Sequence, residues 1–498
     1  TLREGQFLAD PAFVETLCRD APEAVKELAK WGARFARGKN GKLVQRFFGA
    51  HTYRRSCFFV DETGKEIMRV LLEQVEKRDI AVLDEIYVVK IIAKNGKALG
   101  AMGMNMKNGD IEIIDSKTTV LATGGYSRLF SRSSSRAFEN FGDGVSMAFT
   151  AGCELMDLEM LQFHPTGMVW PKNTTGTLVT EAVRGEGGIL TNAKNERFMK
   201  NYDAKRIELS ARDIVARAIY NEIASGRGTK HGGVWLDISH KNAAYIKKRL
   251  PKMHAQFKQV GIDITKQKME VAPTAHYSMG GIRTQLSGET RIKNLFAVGE
   301  CTGDIHGANR LGGNSLAETI VFGKITGAAA ANVSKKIRMD EIGTEEIKNT
   351  MDEIKKLQDW NGIKPSNIRE DLQKIMWRHV GIIRDAKNLD HGLKKLQKLE
   401  NKSTKMKVGN MQDLIDALDA KNMLMLARLA AQSALLRKES RGAHYRKDYK
   451  KMQKHARHTL VINVDGKPKF YYKRTPGPKG RLKELVKKQD ARKYHYTE

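Results

Sequence analysis

Apolar residues recur at helical spacing from residue 10 to 32, and again along "KEIMRVLLEQVEKRDI" (65–80), with a basic, glycine-containing loop between them. The stretch from Asp84 to Gly125 changes period. β-Branched residues alternate with polar ones around Asn-Gly pairs, which predicts a small antiparallel meander. Its last run, Thr118 to Ala122, is a continuous apolar strand that ends in Thr123-Gly124-Gly125, as a buried parallel strand would. "GDGVSMAFTAG" predicts a helix from Gly142 to about Thr150, with Asp143 near its start. The pattern is interrupted between residues 155 and 268 and then resumes. "NLFAVGE" (Asn294 to Glu300) reads as a second short buried strand, and "GANRLGGNSLAETIVFGKITGAAAANV" as a glycine loop feeding a small-residue helix. Beyond residue 335, "TEEIKNTMDEIKKLQDW" and "DLIDALDAKNMLMLARLAAQSALLRKES" are amphipathic helices of a separate helical module. "HTLVINVDGKPKFYYKR" places an Asp-Gly turn between two strand-like runs, and a basic tail follows. No internal repeat is present.

At 498 residues the chain exceeds the size of one hydrophobic core, so two or three domains are expected. No apolar run is long enough to span a bilayer, and no signal-peptide pattern opens the chain. Its four cysteines, Cys18, Cys57, Cys153 and Cys301, form no C-x-x-C pair. That argues against a disulfide framework, a metal site or an iron–sulfur cluster in this chain, and for a reduced, cytoplasmic setting. The net charge of +30 crowds into the last third, in runs such as "YRKDYKKMQKHARH" and "KGRLKELVKKQDARK". Without a helix-turn-helix, RNP or zinc-finger signature, these runs read as a solvated or partner-docking face rather than a nucleic-acid site. The opening "TLREGQFLAD" reads as a helix already under way, so a segment upstream of Thr1 is expected.

Three glycine-rich strand or helix ends point to a nucleotide cofactor. Glu300, after a strand, suits a ribose or ribityl hydroxyl. Thr123-Gly124-Gly125 lets a phosphate or ring approach the backbone. Asn314-Ser315-Leu316 opens a helix whose free N–H groups and dipole suit an electron-rich atom, such as the pyrimidine end of a reduced flavin. A second group of residues has the chemistry of a dicarboxylate cleft: His164, Thr180, Glu181, Arg184, Arg212, His276 and Arg310. Each alone could be a salt bridge, a cap or a satisfied core histidine, and Thr166 is read that way.

The motifs "QFHPTG", "TEAVRGEGG", "ARDIVARAI", "PTAHYSMGGI", "FAVGECTG…HGANRLGGNSLAE" and "RKESRGAHYR" occur in this order. From residue 1 to about 465 the chain resembles the flavoprotein subunit of fumarate reductase and succinate dehydrogenase. The resemblance implies an α/β fold. A split, Rossmann-like FAD-binding domain would occupy residues 1–154 and 269–334, with an inserted α+β capping domain at 155–268. A helical domain (335–445) and a basic C-terminal module (446–498) would follow. It further implies that FAD is held by Ile86, Tyr87, Val88, Thr123, Gly124, Gly125, Asp143, Glu300 and the loop from Arg310 through Asn314, Ser315 and Leu316, with Tyr277 near the flavin. Fumarate or succinate would be gripped by His164, Thr180, His276 and Arg310. Arg212 would deliver a proton to one alkene carbon, and Glu181 and Arg184 would resupply it. Arginine is ordinarily too weak an acid for this role, and the residues alone would not suggest it.

The family opens with a glycine-rich dinucleotide fingerprint and, in many members, a histidine bonded to the flavin. Neither is in this chain, which as it stands is expected to bind FAD poorly. Residues 165–179 look a few residues longer than usual, and Phe141 stands where threonine is common. The implied partners are a separate iron–sulfur protein and, through the complex, a membrane anchor, which would place the protein peripherally on the inner face of the cell membrane. "RGAHYR" and the basic tail are candidate docking surfaces. Rival readings are an L-aspartate oxidase-like flavoenzyme, the soluble thiol-dependent fumarate reductase of methanogens, and an inactive scaffold that binds nucleic acid.

Overall fold

A computed structural model describes residues 1–48, 50–357 and 362–491. The first helix, Pro11–Lys30, starts where Asp10 accepts a hydrogen bond from Ala12 N (2.8 Å) and Pro11 takes the first turn. It buries Phe13, Leu17 and Leu28, and Phe13 stacks on Phe322 of the helix Asn314–Ser334 at 5.6 Å. The strands Ile86–Lys94, Lys97–Asn105 and Ile111–Asp115 form the expected antiparallel meander. Asn95 and Gly96 both have positive φ (52° and 71°), the backbone that a two-residue hairpin turn requires.

The strand Thr119–Leu121 lies parallel to Leu295–Ala297, with Val120 opposite Phe296. This pairing joins the two halves of the split domain across the intervening segment. Helix Asp143–Thr150 follows Gly142, whose φ of 85° turns the chain into it. Three strands of the intervening segment join Met269–Ser278 in a four-stranded antiparallel sheet, in the order Leu161–Met168, Met269–Ser278, Val234–Asp237, Ile189–Thr191. The sheet has its own core around Val179, Val183, Leu236 and Met269, and helix Arg212–Glu222 packs on its Leu161–Met168 strand. Strand Met269–Ser278 runs out of the insertion and back into the split domain. One rigid element therefore serves both units.

The helices Pro365–His379, Ala386–Ser403 and Met411–Leu436 bury Leu372, Leu396 and Leu424 in the same core as Leu121 and Val145 of the α/β unit. Helix Thr344–Lys355 precedes them, and residues 358–361, to which the sequence pattern extends it, lie outside the described residues. The strands Arg457–Val464 and Lys467–Arg474 turn at Asp465-Gly466, where both φ are positive. They extend a sheet in the order Gly281–Ile282, Leu155–Met156, Arg457–Val464, Lys467–Arg474. The C-terminal strands therefore share a sheet with residues from both ends of the insertion. Among the described residues, no helix is long and apolar enough to cross a membrane.

Arg437 fixes this junction. Its buried guanidinium donates to Asp157 (2.8 Å), Glu159 (2.5 Å), Glu439 (3.0 Å) and the Thr459 hydroxyl (3.1 Å). Removing it leaves Glu159 buried without its cation, while Asp157 keeps His458 and Glu439 keeps Arg441. An uncompensated buried charge outweighs any gain in side-chain freedom. Arg437→Ala is expected to lower unfolding free energy by about 3–5 kcal/mol, read as a shift in urea midpoint. Arg437→Lys, which cannot span all four acceptors, should recover only part of that loss.

Candidate functional site

The strand Leu161–Met168 places Gln162, His164 and Thr166 on one face, since successive side chains alternate. The Thr166 hydroxyl is spent on Val179 O (2.8 Å), in keeping with a structural part. His164 lies opposite Thr274 of the neighbouring strand, and its ring meets that of His276 edge-on, with centroids 5.2 Å apart. His164 Nδ1 is near Thr166 O (3.1 Å), and His276 Nδ1 is 2.8 Å from the Ser134 hydroxyl. Both imidazole pKa values are held well below the usual histidine range. Burial is the main cause for each, followed by Arg212 for His164 and by His164 and Arg310 for His276. Both rings are neutral at pH 7. Thr180 lies just ahead of the short turn Ala182–Gly185, with its hydroxyl 3.4 Å from Ala182 N.

Three guanidinium groups lie close to these rings. Arg212, the first residue of its helix, donates through Nε and Nη2 to Glu181 Oε2 (2.9 and 2.5 Å) and through Nη1 to Gln162 Oε1 (2.9 Å). The other Glu181 oxygen is 3.5 Å from Arg184 Nη2, and Arg184 Nη1 donates to Glu208 O at 2.6 Å. Burial lowers the Arg184 pKa. Arg310 is 3% exposed and lies over the Tyr277 ring at 4.4 Å. Its Nη1 donates to Ser315 Oγ (3.1 Å), its Nε has no partner, and it has no ion pair among the described residues. Burial, then the nearby Arg212, push its pKa down to about 10. The Tyr277 hydroxyl donates to Glu318 (2.7 Å). Sequence reasoning missed Gln162, which also donates to Arg310 O and Asn309 Oδ1, both at 2.9 Å. Its signal was its place two residues before His164, on the same strand face.

The residues assigned to the cofactor form a connected line. Glu300 accepts from Ser278 N (3.0 Å), and burial pushes its carboxyl pKa up to about 7. A side chain at Gly125 would collide with Glu300 and Ser278, and one at Gly144 would collide with Thr123. Gly124 has a φ of 72°. The Thr123 hydroxyl is buried without a partner. Asp143 adjoins Gly144, with its pKa raised by burial, and the strand carrying Ile86, Tyr87 and Val88 packs on the same helix. The Tyr87 hydroxyl donates to Asp419 (2.7 Å). At the other end, Gly313 (φ 84°) opens the helix that carries Ser315, while Leu316 is 37% exposed. The Asn314 side chain is instead engaged by Arg55 (3.3 Å) and Thr1 (3.0 Å). An unpartnered hydroxyl, a free guanidinium nitrogen and a helix start are donors suited to a flavin. Among the described residues, no cluster of three or more His, Cys, Asp or Glu side chains is placed to hold a metal ion.

Residues 1–316 match the family described as FAD binding domain, and residues 369–491 match that described as fumarate reductase flavoprotein C-term. One chain of the fumarate reductase (CoM/CoB) of Methanothermobacter marburgensis is 43% identical over 94% of this chain and 86% of its own length. The 8-methylmenaquinol:fumarate reductase flavoprotein of Wolinella succinogenes is 38% identical over 90% of this chain and 75% of its own. The structure of quinol fumarate reductase from E. coli superposes with a TM-score of 0.90 at 32% identity, covering 95% of this chain and 85% of that one. The chain is an FAD-dependent oxidoreductase and belongs to the family of fumarate reductase and succinate dehydrogenase flavoprotein subunits.

Proposed function

We propose that this chain reduces fumarate to succinate, with His164, Thr180, His276 and Arg310 binding the two carboxylates and Arg212 donating the proton. The observation that carries this reading is Arg310, a buried guanidinium with an unpartnered Nε and no ion pair among the described residues, beside two neutral imidazoles. A dianionic substrate supplies the missing charge, and a planar guanidinium can take one carboxylate in a fork. Bound FAD, held by Thr123, Gly125, Asp143, Glu300 and Ser315, would supply the hydride for the other alkene carbon. Gln162 and Glu181 hold Arg212 from both ends of its guanidinium, so its remaining freedom is small. Glu181 bridges Arg212 to Arg184. When Arg212 gives up its proton, one can therefore pass from Arg184 to the Glu181 carboxylate and on to Arg212, with Arg184 reprotonated from solvent. That return answers the objection that arginine is a weak acid, because the deprotonated guanidine need not persist.

Electrons would enter from a separate iron–sulfur protein, since this chain has no cysteine pairing suited to a cluster. The relative named for CoM/CoB favours thiol carriers as the ultimate donor, and the one named for 8-methylmenaquinol favours a membrane quinol. The higher identity of the former supports thiols.

Flavin-loaded full-length protein given reduced viologen should turn over fumarate. Absence of both fumarate reduction and succinate oxidation would sink the reading. Arg212→Gln should lose about 10²–10⁴-fold in kcat while still binding fumarate, seen in stopped flow as a reduced flavin that persists in the complex. Arg310→Ala should instead raise KM strongly as well as lowering kcat.

Glu300 provides an independent test in the full-length apoprotein. Its folded-state pKa of about 7 lies above the ordinary 4.5. Its stability contribution is therefore fully present below pH 4.5 and lost as pH rises through 7. Glu300→Gln removes that loss. Across this window wild type should decline relative to the variant by on the order of 2–3 kcal/mol, measured by urea melts at stepped pH. Parallel curves would contradict it.

A further inference from the structure

The loop Ser131–Arg136 lies beside the cleft, and the mechanism above uses none of its side chains. Its backbone is clamped to the substrate strand. Ala275 N donates to Arg132 O and Ser134 N donates to Ala275 O, both at 2.9 Å. This fixes Ser134 next to His276, with its hydroxyl 2.8 Å from Nδ1. The other side of the loop is tied to the cofactor turn. Ser133 and Ser135 bond to the Ser127 hydroxyl (2.9 and 2.8 Å), and Asn140 Nδ2 donates to Ser135 Oγ (2.7 Å). Asn140 Oδ1 in turn accepts from Gly125 N (3.0 Å).

A neutral imidazole carries one N–H, and whatever faces one ring nitrogen decides which nitrogen keeps it. The groups around the His276 ring are His164, Arg310, Arg212 and Glu181, and the arginine charges oppose a second proton. A carboxylate accepts hydrogen bonds but cannot donate them, so His276 can hold one only if its proton is on Nε2. The Ser134 hydroxyl can donate to Nδ1 or accept from it, and His276 Nδ1 is its only side-chain partner among the described residues. When a carboxylate holds the Nε2 proton, the hydroxyl donates.

We infer that Ser134 is a positioning residue for substrate binding. With a dicarboxylate bound, its hydroxyl donates to His276 Nδ1, stabilises the tautomer that carries the proton on Nε2 and orients that N–H toward the substrate carboxylate. This rests on the reading of His276 as a carboxylate ligand. Losing Ser134 leaves the ring present but its Nδ1 without a donor when Nε2 carries the proton to the carboxylate. The affected bond exists in both ground and transition states, so binding should suffer more than turnover.

Flavin-loaded wild type, Ser134→Ala, Ser134→Thr and His276→Ala are compared for fumarate kinetics and for calorimetric binding of malonate, an unreactive dicarboxylate. Ser134→Ala should raise the fumarate KM and malonate Kd about five- to tenfold, the worth of one neutral hydrogen bond. Its kcat should stay within about threefold of wild type, and Ser134→Thr, which keeps the hydroxyl, should bind nearly as wild type does. Weakened malonate binding in His276→Ala but not in Ser134→Ala would overturn the role of Ser134. Equal losses in the Ala and Thr variants would also overturn it, since shape rather than the hydroxyl would then matter. If His276→Ala binds malonate normally, the reading of His276 fails first, and the role of Ser134 fails with it.

Discussion

The interaction on which the site depends is repulsion among buried cations. Arg184, Arg212 and Arg310 share a water-poor cleft in which Glu181 answers the first two and Arg310 has no ion pair among the described residues. Burying an unpaired guanidinium costs several kcal/mol even after the surroundings relax. Packing alone would expel it into solvent. It is kept inside by its seat on the Tyr277 ring, by Ser315 at the helix start and by the paired strands beneath it. The rest of the architecture follows from that need for rigidity. The insertion, the split α/β unit and the strand Met269–Ser278 that passes between them hold like charges at distances they would not choose.

The neutrality of the two histidines has the same origin. Beside the arginines a second imidazolium would add repulsion, so both rings stay uncharged and act as directional donors. Charge is thus concentrated in groups that remain protonated over any physiological range, while orientation is left to groups that are not charged.

Local signals in the sequence are easily read, and long-range ones are not. The Asn95-Gly96 and Asp465-Gly466 turns need positive φ at adjacent residues, a demand satisfied within a dipeptide and therefore visible there. Helices with one wet face announce themselves in the same way. The motif-bearing residues His164, Glu181, Arg184, Arg212, His276 and Arg310 converge on one cleft, and Glu300, Thr123 and Gly125 on its neighbour. Gln162 was hidden because all eight residues of its strand are buried, which erases the alternation that separates faces. Ser134 was hidden because a run of serines looks like a solvated loop until its backbone is found against Ala275. The union of residues 155–156, 281–282 and 457–474 in one sheet leaves no local trace. Its outer strand, Lys467–Arg474, is rich in lysine and arginine, which discourages edge-to-edge pairing.

The Arg437 clamp also bears on how the chain comes to be folded at all. Its acceptors Asp157 and Glu159 precede it by 280 and 278 residues. On a ribosome adding about 5–20 residues per second, those carboxylates wait on the order of half a minute for their cation. Over that interval the α/β half has acidic groups that must not be buried and a short strand, Leu155–Met156, without its Arg457–Val464 neighbour. Closure of this part of the core therefore waits for residues 437–464 to be made.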